Sequence, residues 1–280
     1  TTLPTWLGPR CEYMHGHSCV ELVDLSATGI AESASGRIEG VIHPEHVPKQ
    51  RYLQVRPGRG GTVRRLAHVV WDWNGTLFDD FGLTAEIAGR TLASLGVPGI
   101  TGDDIRANFR RPFSDFYARL FGRSLSAEEF AYIRERYEVE YGTEVFELRL
   151  QPDADAAMAL VAEHRATQSL LSMAHDEQLQ ALVDHHHIRA RFTLVEGSPS
   201  SDSDGNKAER LVRHLAELEV DPHATVIIGD TVDDHEAALA AGASSVLVTT
   251  GSTSRPSLEA TGAPVVDTLI AAARAALRGR

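Results

Sequence analysis

Cysteine is scarce in this chain, with only Cys11 and Cys19 among 280 residues. Two cysteines are too few for a disulfide scaffold of this size, so we expect a reducing compartment. No stretch approaches the roughly 18 uninterrupted apolar residues of a membrane span. The N-terminus lacks the basic and apolar regions of a secretion signal, although the first residue is not Met, which leaves a removed segment open. We therefore expect a cytoplasmic protein without a membrane partner.

Positive charge is also in short supply. The 27 Lys and Arg residues face 39 Asp and Glu residues, so the net charge is −12. This balance argues against a nucleic-acid partner, and it agrees with a protein that uses a divalent cation to approach phosphate. The hydrophobic fraction of 42% is ordinary for a globular protein. The length suits one large domain with a smaller insertion, or two domains.

Apolar runs alternate with helix-period segments over most of the chain after residue 66. The segments between the runs are dominated by Ala, Leu and Glu, which favour helices. The alternation predicts an α/β fold, namely a Rossmann-like, doubly wound parallel sheet covered by helices. After a first strand near residue 70, the predicted strands are Gln168–Ala174, Phe192–Val195, Thr225–Gly229 and Ser245–Thr249.

Residues 81–150 break this alternation, because they read as consecutive helices. We predict a helical cap here, inserted after the first strand and lying above the carboxyl edge of the sheet, where open α/β folds bind ligands. Residues 66–80 and 151–280 would then form the core. Residues 1–65 are rich in Gly and Pro, and we predict an N-terminal extension, small and β-rich or poorly ordered, whose role stays open.

The apolar run over residues 66–71 delivers Asp72 to a polar turn. The run fits a buried parallel strand. Asn74, Gly75 and Thr76 let the chain turn sharply and offer backbone N–H groups to an anion. Asp72 is therefore a candidate nucleophile facing a phosphate. An Asp-x-Asn-Gly sequence is also an ordinary turn, so the rest of the chain has to decide between the two.

Two further positions suit phosphoryl transfer to a carboxylate, which needs phosphate donors and a cation. Ser172 ends a predicted strand, so its hydroxyl can hold phosphate oxygens, although such a serine is also a common helix cap. Lys207 lies in the first turn of a helix that Asn206 is predicted to cap. A cation there opposes the helix dipole, and neutralising a phosphate and Asp72 would explain its position. A solvated lysine is the alternative.

Three carboxylates follow the predicted strand that ends at Gly229: Asp230, Asp233 and Asp234. So much like charge at one strand edge is costly unless a cation compensates it. Asp230 is the best metal-ligand candidate, and Asp234 is predicted to reach the metal through a water. Asp233 has capping-box spacing with Glu236, so starting the next helix is an equally good explanation for it.

Together these sites resemble the motifs of the haloacid dehalogenase superfamily, in particular its phosphoglycolate phosphatase-like branch with a helical cap. The resemblance covers about residues 66–270 and rests on all four motifs occurring in order. It implies hydrolysis of a small phosphorylated metabolite through an aspartyl-phosphate on Asp72. Phosphoglycolate-like compounds are among the substrates that the resemblance suggests. It also implies Mg²⁺ held by the Asp72 carboxylate, the Asn74 backbone carbonyl and Asp230, with Asp234 nearby.

The same resemblance assigns the substrate contacts. Ser172 and Lys207 would hold the phosphate, and Arg110 or Arg111, just before Pro112, would read the leaving group from the cap. A dehalogenase is disfavoured by the acidic cluster beside Lys207. Transfer of the phosphoryl group to an alcohol is not distinguished from hydrolysis, and the protein is expected to be a monomer or homodimer.

The chain departs from the family pattern at Asn74, where family phosphatases usually carry a second Asp that protonates the leaving group. An amide cannot exchange a proton near neutral pH, and losing a general acid or base costs on the order of 10²–10⁴ in rate. A phosphatase for good leaving groups, such as acyl or aryl phosphates, is one interpretation. A base borrowed from His175 or His235 is a second, and a catalytically impaired binding or interaction module is the third. We favour a residual or specialised phosphatase.

Overall fold

The computed structural model describes residues 66–199 and 206–278. The predicted N-terminal extension, residues 1–65, lies outside the described residues. The described chain contains six strands: β1 (His68–Trp71), β2 (Thr167–His175), β3 (Val195–Ser198), β4 (Thr225–Gly229), β5 (Ser244–Val248) and β6 (Val265–Val266). They form one parallel sheet in the order β3-β2-β1-β4-β5-β6.

The strand order places the ligand edge of the sheet. From β1 the chain winds outward through β2 and β3, and then crosses to the other side for β4, β5 and β6. The direction therefore reverses between β1 and β4, and open α/β sheets bind ligands beyond the carboxyl ends of the strands at such a switch point. The predicted doubly wound α/β fold is confirmed.

Ten α-helices flank this sheet in the described ranges. They are α1 (Phe81–Ser94), α2 (Gly102–Asn108), α3 (Phe113–Phe121), α4 (Ala127–Glu144), α5 (Ala154–Glu163), α6 (Asp176–His185), α7 (Lys207–Glu217), α8 (Val232–Ala241), α9 (Arg255–Glu259) and α10 (Leu269–Leu277). None of these helices combines the length and the apolar composition needed to cross a bilayer.

The predicted elements differ from the observed ones in a few places. Strand β3 begins at Val195, three residues later than predicted, and β6, α9 and α10 were not predicted. Strand β6 has two residues and α9 has five, which is too short for a periodic signal. Helix α10 does carry that signal, because its buried residues Leu269, Ala272, Ala273 and Ala276 follow the spacing of one helix face.

Packing explains why β1 is apolar throughout, since its successive side chains face opposite sides of the sheet. Val69 and Trp71 join a core that includes buried residues of α5 and α10. Val70 joins a separate core with buried residues of α7 and α8. Because each fully buried side chain of this size contributes roughly 1.5–3 kcal/mol, β1 holds both layers of helices and fixes the strand end at which Asp72 lies.

Helices α1 to α4 follow β1 without an intervening strand, as the sequence predicts. We call residues 81–147 the helical segment. It has a small core of its own, built from Phe81, Ala88, Ile105 and Phe116. Capping boxes at Thr101 and Ser126 begin α2 and α4. The division into a cap domain and a core domain with the predicted boundaries stays a prediction.

Candidate active site

Three buried carboxylates meet at the switch point of the sheet. Asp72 follows β1, and its backbone N–H donates to the Ile228 carbonyl at 2.9 Å, which continues the β1–β4 pairing by one residue. Asp230 follows β4, and Asp234 lies in the first turn of α8. One oxygen from each carboxylate lies within 4.8 Å of the others. Asp72 is 7% exposed, and the other two are fully enclosed.

The electrostatics of this cluster call for positive charge. Burial raises the pKa of Asp72 to about 6, with Lys207 opposing and Asp234 adding to the shift. Burial, followed by the charges of Asp72 and Asp234, raises the pKa of Asp230 well above its usual range. Converging carboxylate oxygens are the ligands that Mg²⁺ prefers. The residues therefore fit a divalent cation, which would relieve a repulsion that one lysine only partly compensates.

Lys207 lies against two of the carboxylates. Its Nζ is 2.5 Å from Asp72 Oδ1 and 2.5 Å from Asp234 Oδ1. Burial by itself would lower the pKa of Lys207, but the two carboxylates outweigh it and the pKa is raised. The predicted cap is confirmed, since Asn206 Oδ1 accepts from the backbone N–H groups of residues 208 and 209. The alternative of a solvated lysine is wrong, because Lys207 is 9% exposed.

The start of α8 differs from the sequence interpretation. Thr231 is the N-cap, and its partner in the capping box is Asp234, not Asp233. Asp234 Oδ2 accepts from the Thr231 hydroxyl at 2.6 Å and from its N–H at 3.0 Å. Asp234 thus begins the helix with one oxygen and holds Lys207 with the other. A Cβ on Gly229 would lie 2.2 Å from Asp234 Cγ, so only glycine fits before Asp230.

Asn74 is held by a network that the sequence analysis missed. Its Nδ2 donates to Asp80 Oδ2 at 2.7 Å and to the Tyr141 hydroxyl at 2.9 Å, while that hydroxyl donates to the same Asp80 oxygen at 2.8 Å. Asp80 is 2% exposed, and burial raises its pKa. With the amide nitrogen engaged, Asn74 Oδ1 faces Ser172 Oγ, 3.5 Å away. The only hint in the sequence was a carboxylate eight positions after Asp72.

The prediction that the backbone N–H groups of Gly75 and Thr76 are offered to a phosphate is wrong, because both groups already have acceptors in the protein. The Gly75 N–H donates to Asp80 Oδ1 at 2.7 Å, and the Thr76 N–H donates to the Trp73 carbonyl at 3.1 Å. Thr76 instead directs its hydroxyl to Asp230 Oδ1 at 3.2 Å. Gly75 has φ +66°, so the turn itself requires a residue that tolerates the left-handed region.

Ser172 does not end its strand, because β2 continues to His175. The structure places the Ser172 side chain beside the cluster, in the wall of the same cavity as Asp72 and Lys207. Its Oγ accepts from the Ala174 N–H at 3.0 Å. The predicted interpretation as a helix cap is wrong, since His175 precedes α6 as its N-cap. Its contact with a phosphate stays a prediction.

Only one of the two arginine candidates and one of the two histidine candidates line the cavity. Arg111 lines the cavity and pairs with Asp233 at 3.0 Å, whereas Arg110 is exposed and does not line it. His175 lines the cavity, whereas His235 does not and contacts Ser245 Oγ at 2.8 Å. Arg111 and His175 are therefore the members of each pair that can reach a ligand.

The loop after β5 contributes to the site without any motif that the sequence analysis recognised. The Ser252 N–H donates to Asp230 Oδ2 at 2.7 Å. The Gly251 carbonyl accepts from Arg106 Nε of α2 at 2.9 Å, which ties the helical segment to the loop. A Cβ on Gly251 would lie 2.0 Å from Asp230 Oδ2. The loop therefore holds the Asp230 carboxylate through its Oδ2 atom.

A cavity of about 510 Å³ opens from the carboxylates towards the helical segment. Asp72, Asn74, Ser172, Lys207 and Asp230 form its polar end. The other walls come mainly from α1 to α4. Among the predicted site residues, the structure thus gathers the candidate nucleophile Asp72, Lys207 and the candidate metal ligand Asp230 at one cavity, whereas Asp234 is enclosed and does not line it.

Comparisons with known proteins agree with this arrangement. A family model described as haloacid dehalogenase-like hydrolase matches residues 69–239, and a second HAD-hydrolase-like model matches residues 207–272. A phosphoglycolate phosphatase from Synechococcus elongatus is 27% identical over 193 residues, covering 69% of this chain and 88% of that protein.

Two solved structures share the fold. One is "a predicted phosphatase" from Clostridium acetobutylicum, 17% identical, with a TM-score of 0.66, covering 76% of this chain and 99% of that one. The other is "a predicted phosphoglycolate phosphatase" from Haemophilus somnus, also 17% identical, with a TM-score of 0.59, covering 75% of this chain and 97% of that one.

The chain belongs to the haloacid dehalogenase-like hydrolase family, whose model spans more than half of its length. The predicted family, its phosphoglycolate phosphatase-like branch and the enzyme class, a phosphatase of this family, are confirmed. The predicted cytoplasmic location and the oligomeric state stay predictions.

Proposed function

We propose that the protein is a Mg²⁺-dependent phosphatase that hydrolyses a small phosphomonoester through a covalent intermediate on Asp72. The observation that carries this proposal is the grouping of Asp72, Asp230 and Asp234 with Lys207 at the switch point, where Asp72, Asp230 and Lys207 line one cavity and Asp234 lies behind them. Phosphoglycolate, the substrate named for the Synechococcus elongatus relative, is a candidate at the family level only.

Asp72, Asp230 and the Asn74 carbonyl would hold the Mg²⁺, with Asp234 close enough to contribute through a water. When bound, the cation supplies charge neutralisation for the phosphoryl oxygens and for the carboxylates around them. Lys207, already paired with Asp72, would take one phosphoryl oxygen as the ester enters. The Ser172 hydroxyl, in the same wall of the cavity, would take another.

In the first step an Asp72 oxygen attacks phosphorus, and the bond from phosphorus to the leaving-group oxygen breaks. The leaving group departs with the bonding electron pair and takes a proton from solvent or from a nearby acid. In the second step water attacks phosphorus, releases inorganic phosphate and restores the Asp72 carboxylate. Covalent catalysis of this kind divides one difficult displacement into two easier ones.

Asn74 cannot supply the proton for the first step, because an amide does not ionise near neutral pH. His175 lines the cavity and is the candidate for that transfer. Without an efficient acid, esters whose leaving groups are stable as anions would react faster than ordinary alkyl esters. No observation among the described residues favours the alternative of a binding or interaction module.

Phosphate release from acetyl phosphate, p-nitrophenyl phosphate, phosphoglycolate and sugar phosphates tests the proposal. We expect release that needs Mg²⁺, is lost on adding EDTA and is lost in Asp72→Asn. Asp79→Asn is the matched control, since Asp79 is a neighbouring but exposed carboxylate and should retain activity. Equal release from the parent and from Asp72→Asn would refute the proposed nucleophile.

A further inference from the structure

The cavity wall opposite the carboxylates is aromatic, in a chain that has few aromatic residues. The whole sequence contains nine Phe, six Tyr and three Trp. Seven of these 18 residues line this one cavity: Tyr141 near the polar end, and Phe109, Phe113, Phe116, Tyr117, Phe130 and Tyr137 beyond it. An aromatic composition of 6% makes this concentration at one site a feature that needs an explanation.

The rings form a continuous surface and not isolated contacts. Phe109 and Phe113 lie with their ring centroids 6.1 Å apart, and Phe116 lies 4.8 Å from Tyr117. Tyr117 in turn lies 6.3 Å from Phe130. An aromatic ring that enters the cavity can pack edge-on or offset-stacked against such side chains.

The arginine and lysine side chains that line the cavity are already paired with carboxylates. Arg111 pairs with Asp233 at 3.0 Å, and Arg134 pairs with Glu138 at 3.6 Å. Lys207 is occupied by the carboxylates of the reaction site. A substrate with a second anionic group, such as a carboxylate, would have to compete with the carboxylates of these ion pairs. An apolar group would instead replace water against the rings.

The reacting end independently favours the same kind of leaving group. Asn74 occupies the position from which a family phosphatase would protonate the departing oxygen, and an amide cannot do so. A phenolic oxygen carries negative charge far better than an alkyl oxygen, so its departure depends less on protonation. A volume of about 510 Å³ is sufficient for one ring system with its substituents.

We propose that the substrates are phosphomonoesters whose leaving group carries an aromatic ring, with aryl phosphates reacting fastest. The ring packs against the aromatic surface of the helical segment while the phosphate lies at Asp72 and Lys207. This proposal rests on the proposed function, because it assumes that the phosphate is transferred to Asp72. It departs from the relative's phosphoglycolate, which is small and carries a carboxylate.

Ring binding is separated from leaving-group chemistry by comparing benzyl phosphate with ethyl phosphate, whose alcohols have similar acidity. With the full chain and Mg²⁺, we expect kcat/KM for benzyl phosphate to exceed that for ethyl phosphate and for phosphoglycolate by about tenfold or more, the effect of burying one ring. Phenyl phosphate should exceed benzyl phosphate further. Equal or higher kcat/KM for phosphoglycolate would overturn the proposal.

Two variants of α3 provide a matched pair. Phe113→Ala removes a half-buried ring from the cavity wall, and Phe121→Ala removes a half-buried ring on the same helix that does not line the cavity. We expect the preference for benzyl phosphate over ethyl phosphate to fall several-fold in Phe113→Ala and to stay unchanged in Phe121→Ala. The same change in both variants would argue against a ring site.

A binding measurement keeps the proposal distinct from the proposed function. Phenylphosphonate and methylphosphonate cannot be hydrolysed at the phosphorus–carbon bond, so their Kd values, measured by calorimetry with Mg²⁺, do not depend on turnover. We expect phenylphosphonate to bind about tenfold more tightly. Equal Kd values would overturn the aromatic site even if Asp72-dependent phosphate release were found. A preference without any release would establish the ring site and refute the catalytic proposal, and with it the assignment of these esters as substrates.

Discussion

Restoring a carboxylate at position 74 should fail unless Asp80 is changed as well. In the parent, Asn74 Nδ2 donates to Asp80 Oδ2 at 2.7 Å and to the Tyr141 hydroxyl at 2.9 Å. Asn74→Asp replaces this donor by an acceptor, so two carboxylate oxygens face each other across a hydrogen-bond distance. Asp80 is buried and its pKa is already raised by burial, so it has no solvent to relieve the repulsion.

The expected magnitude follows from the contacts that are lost. Leaving a buried polar group unsatisfied costs about 1–3 kcal/mol, and an uncompensated buried charge costs more. Asn74→Asp should therefore lower the free energy of unfolding by about 3 kcal/mol. Asp80→Asn alone should lower the free energy of unfolding by about 1–2 kcal/mol. One of the two carboxylate oxygens becomes an NH₂ group, which then faces the NH₂ group of Asn74.

The double variant Asn74→Asp/Asp80→Asn should recover most of this loss. Asn at position 80 can still accept from the Gly75 N–H through its oxygen, and its amide nitrogen can donate to the new carboxylate. The Tyr141 hydroxyl can turn to donate to position 74 and to accept from position 80. Each partner is again satisfied, with the three bonds among residues 74, 80 and 141 reversed in direction and the bond from the Gly75 N–H kept. We expect a coupling energy of at least about 2 kcal/mol between the two positions.

Urea unfolding of the parent, the two single variants and the double variant measures this coupling. Asp79→Asn, a change at an exposed neighbouring carboxylate, is the control and should alter stability by less than about 0.5 kcal/mol. In the same proteins, turnover of ethyl phosphate should rise on the order of tenfold or more only in the double variant, which carries a well-ordered carboxyl group at position 74.

Additive free energies would refute this reasoning. If Asn74→Asp unfolded at the same urea concentration as the parent, the Asp80 contact would contribute nothing measurable. If that single variant also gained full turnover of alkyl phosphates, Asp80 would have no part in positioning residue 74. Either result would show that Asn74 is tolerated for reasons unrelated to its buried partners.

Three further predictions concern the metal site, the pH dependence of stability and the steric need for glycine at position 229. Asp230→Asn should raise the melting temperature of the EDTA-treated protein, because it removes one of three mutually repelling buried carboxylates. Added Mg²⁺ should raise the melting temperature of the parent but not of the variant. Equal shifts on adding Mg²⁺ would exclude Asp230 as a ligand. Burial, and then a neighbouring histidine, lower the pKa of His68 to about 4, so the unfolded chain binds that proton first and up to about 3 kcal/mol of stability is lost as pH falls from 6.5 towards 4. Buried carboxyl groups with raised pKa values make the protein more stable as pH falls, which opposes the effect of His68. The difference in free energy of unfolding in urea between the parent and His68→Gln should therefore isolate the contribution of His68. A difference that does not change with pH would contradict the prediction. Gly229→Ala should lower the free energy of unfolding by on the order of 3 kcal/mol, because the new Cβ would lie 2.2 Å from Asp234 Cγ. Gly142→Ala in α4 is the control, since a Cβ there meets no atom within 4 Å. Measured by thermal melting, this control should be neutral or stabilising.

Sequence periodicity determined the class of the fold because it reflects local structure. The apolar run before Asp72 predicted a buried parallel strand, and the structure has it packed between two cores. Asp230 and Lys207 followed from the same logic, since carboxyl ends of parallel strands and the helix after them converge on one edge. Local signals also identified the Asn206 cap of α7.

Short elements and the use of individual polar atoms were beyond this reasoning. The N–H groups of Gly75 and Thr76 were predicted to face a phosphate, because the sequence cannot show that Asp80 and Trp73 already accept from them. Spacing offered Asp233 as the residue that begins the helix, as an equally good alternative to a metal role, and only the geometry of the helix start assigns the capping role to Asp234.

The sequence by itself predicted that Asp72, a lysine and an acidic cluster share one edge of a parallel sheet. Tertiary structure alone decided what surrounds them. Asn74 and Tyr141 are 67 positions apart, yet they share a hydrogen bond, and the aromatic surface draws its rings from three helices, α3, α4 and the end of α2. Local propensity carries no information about such pairs, because their contact depends on how separate helices pack over the sheet.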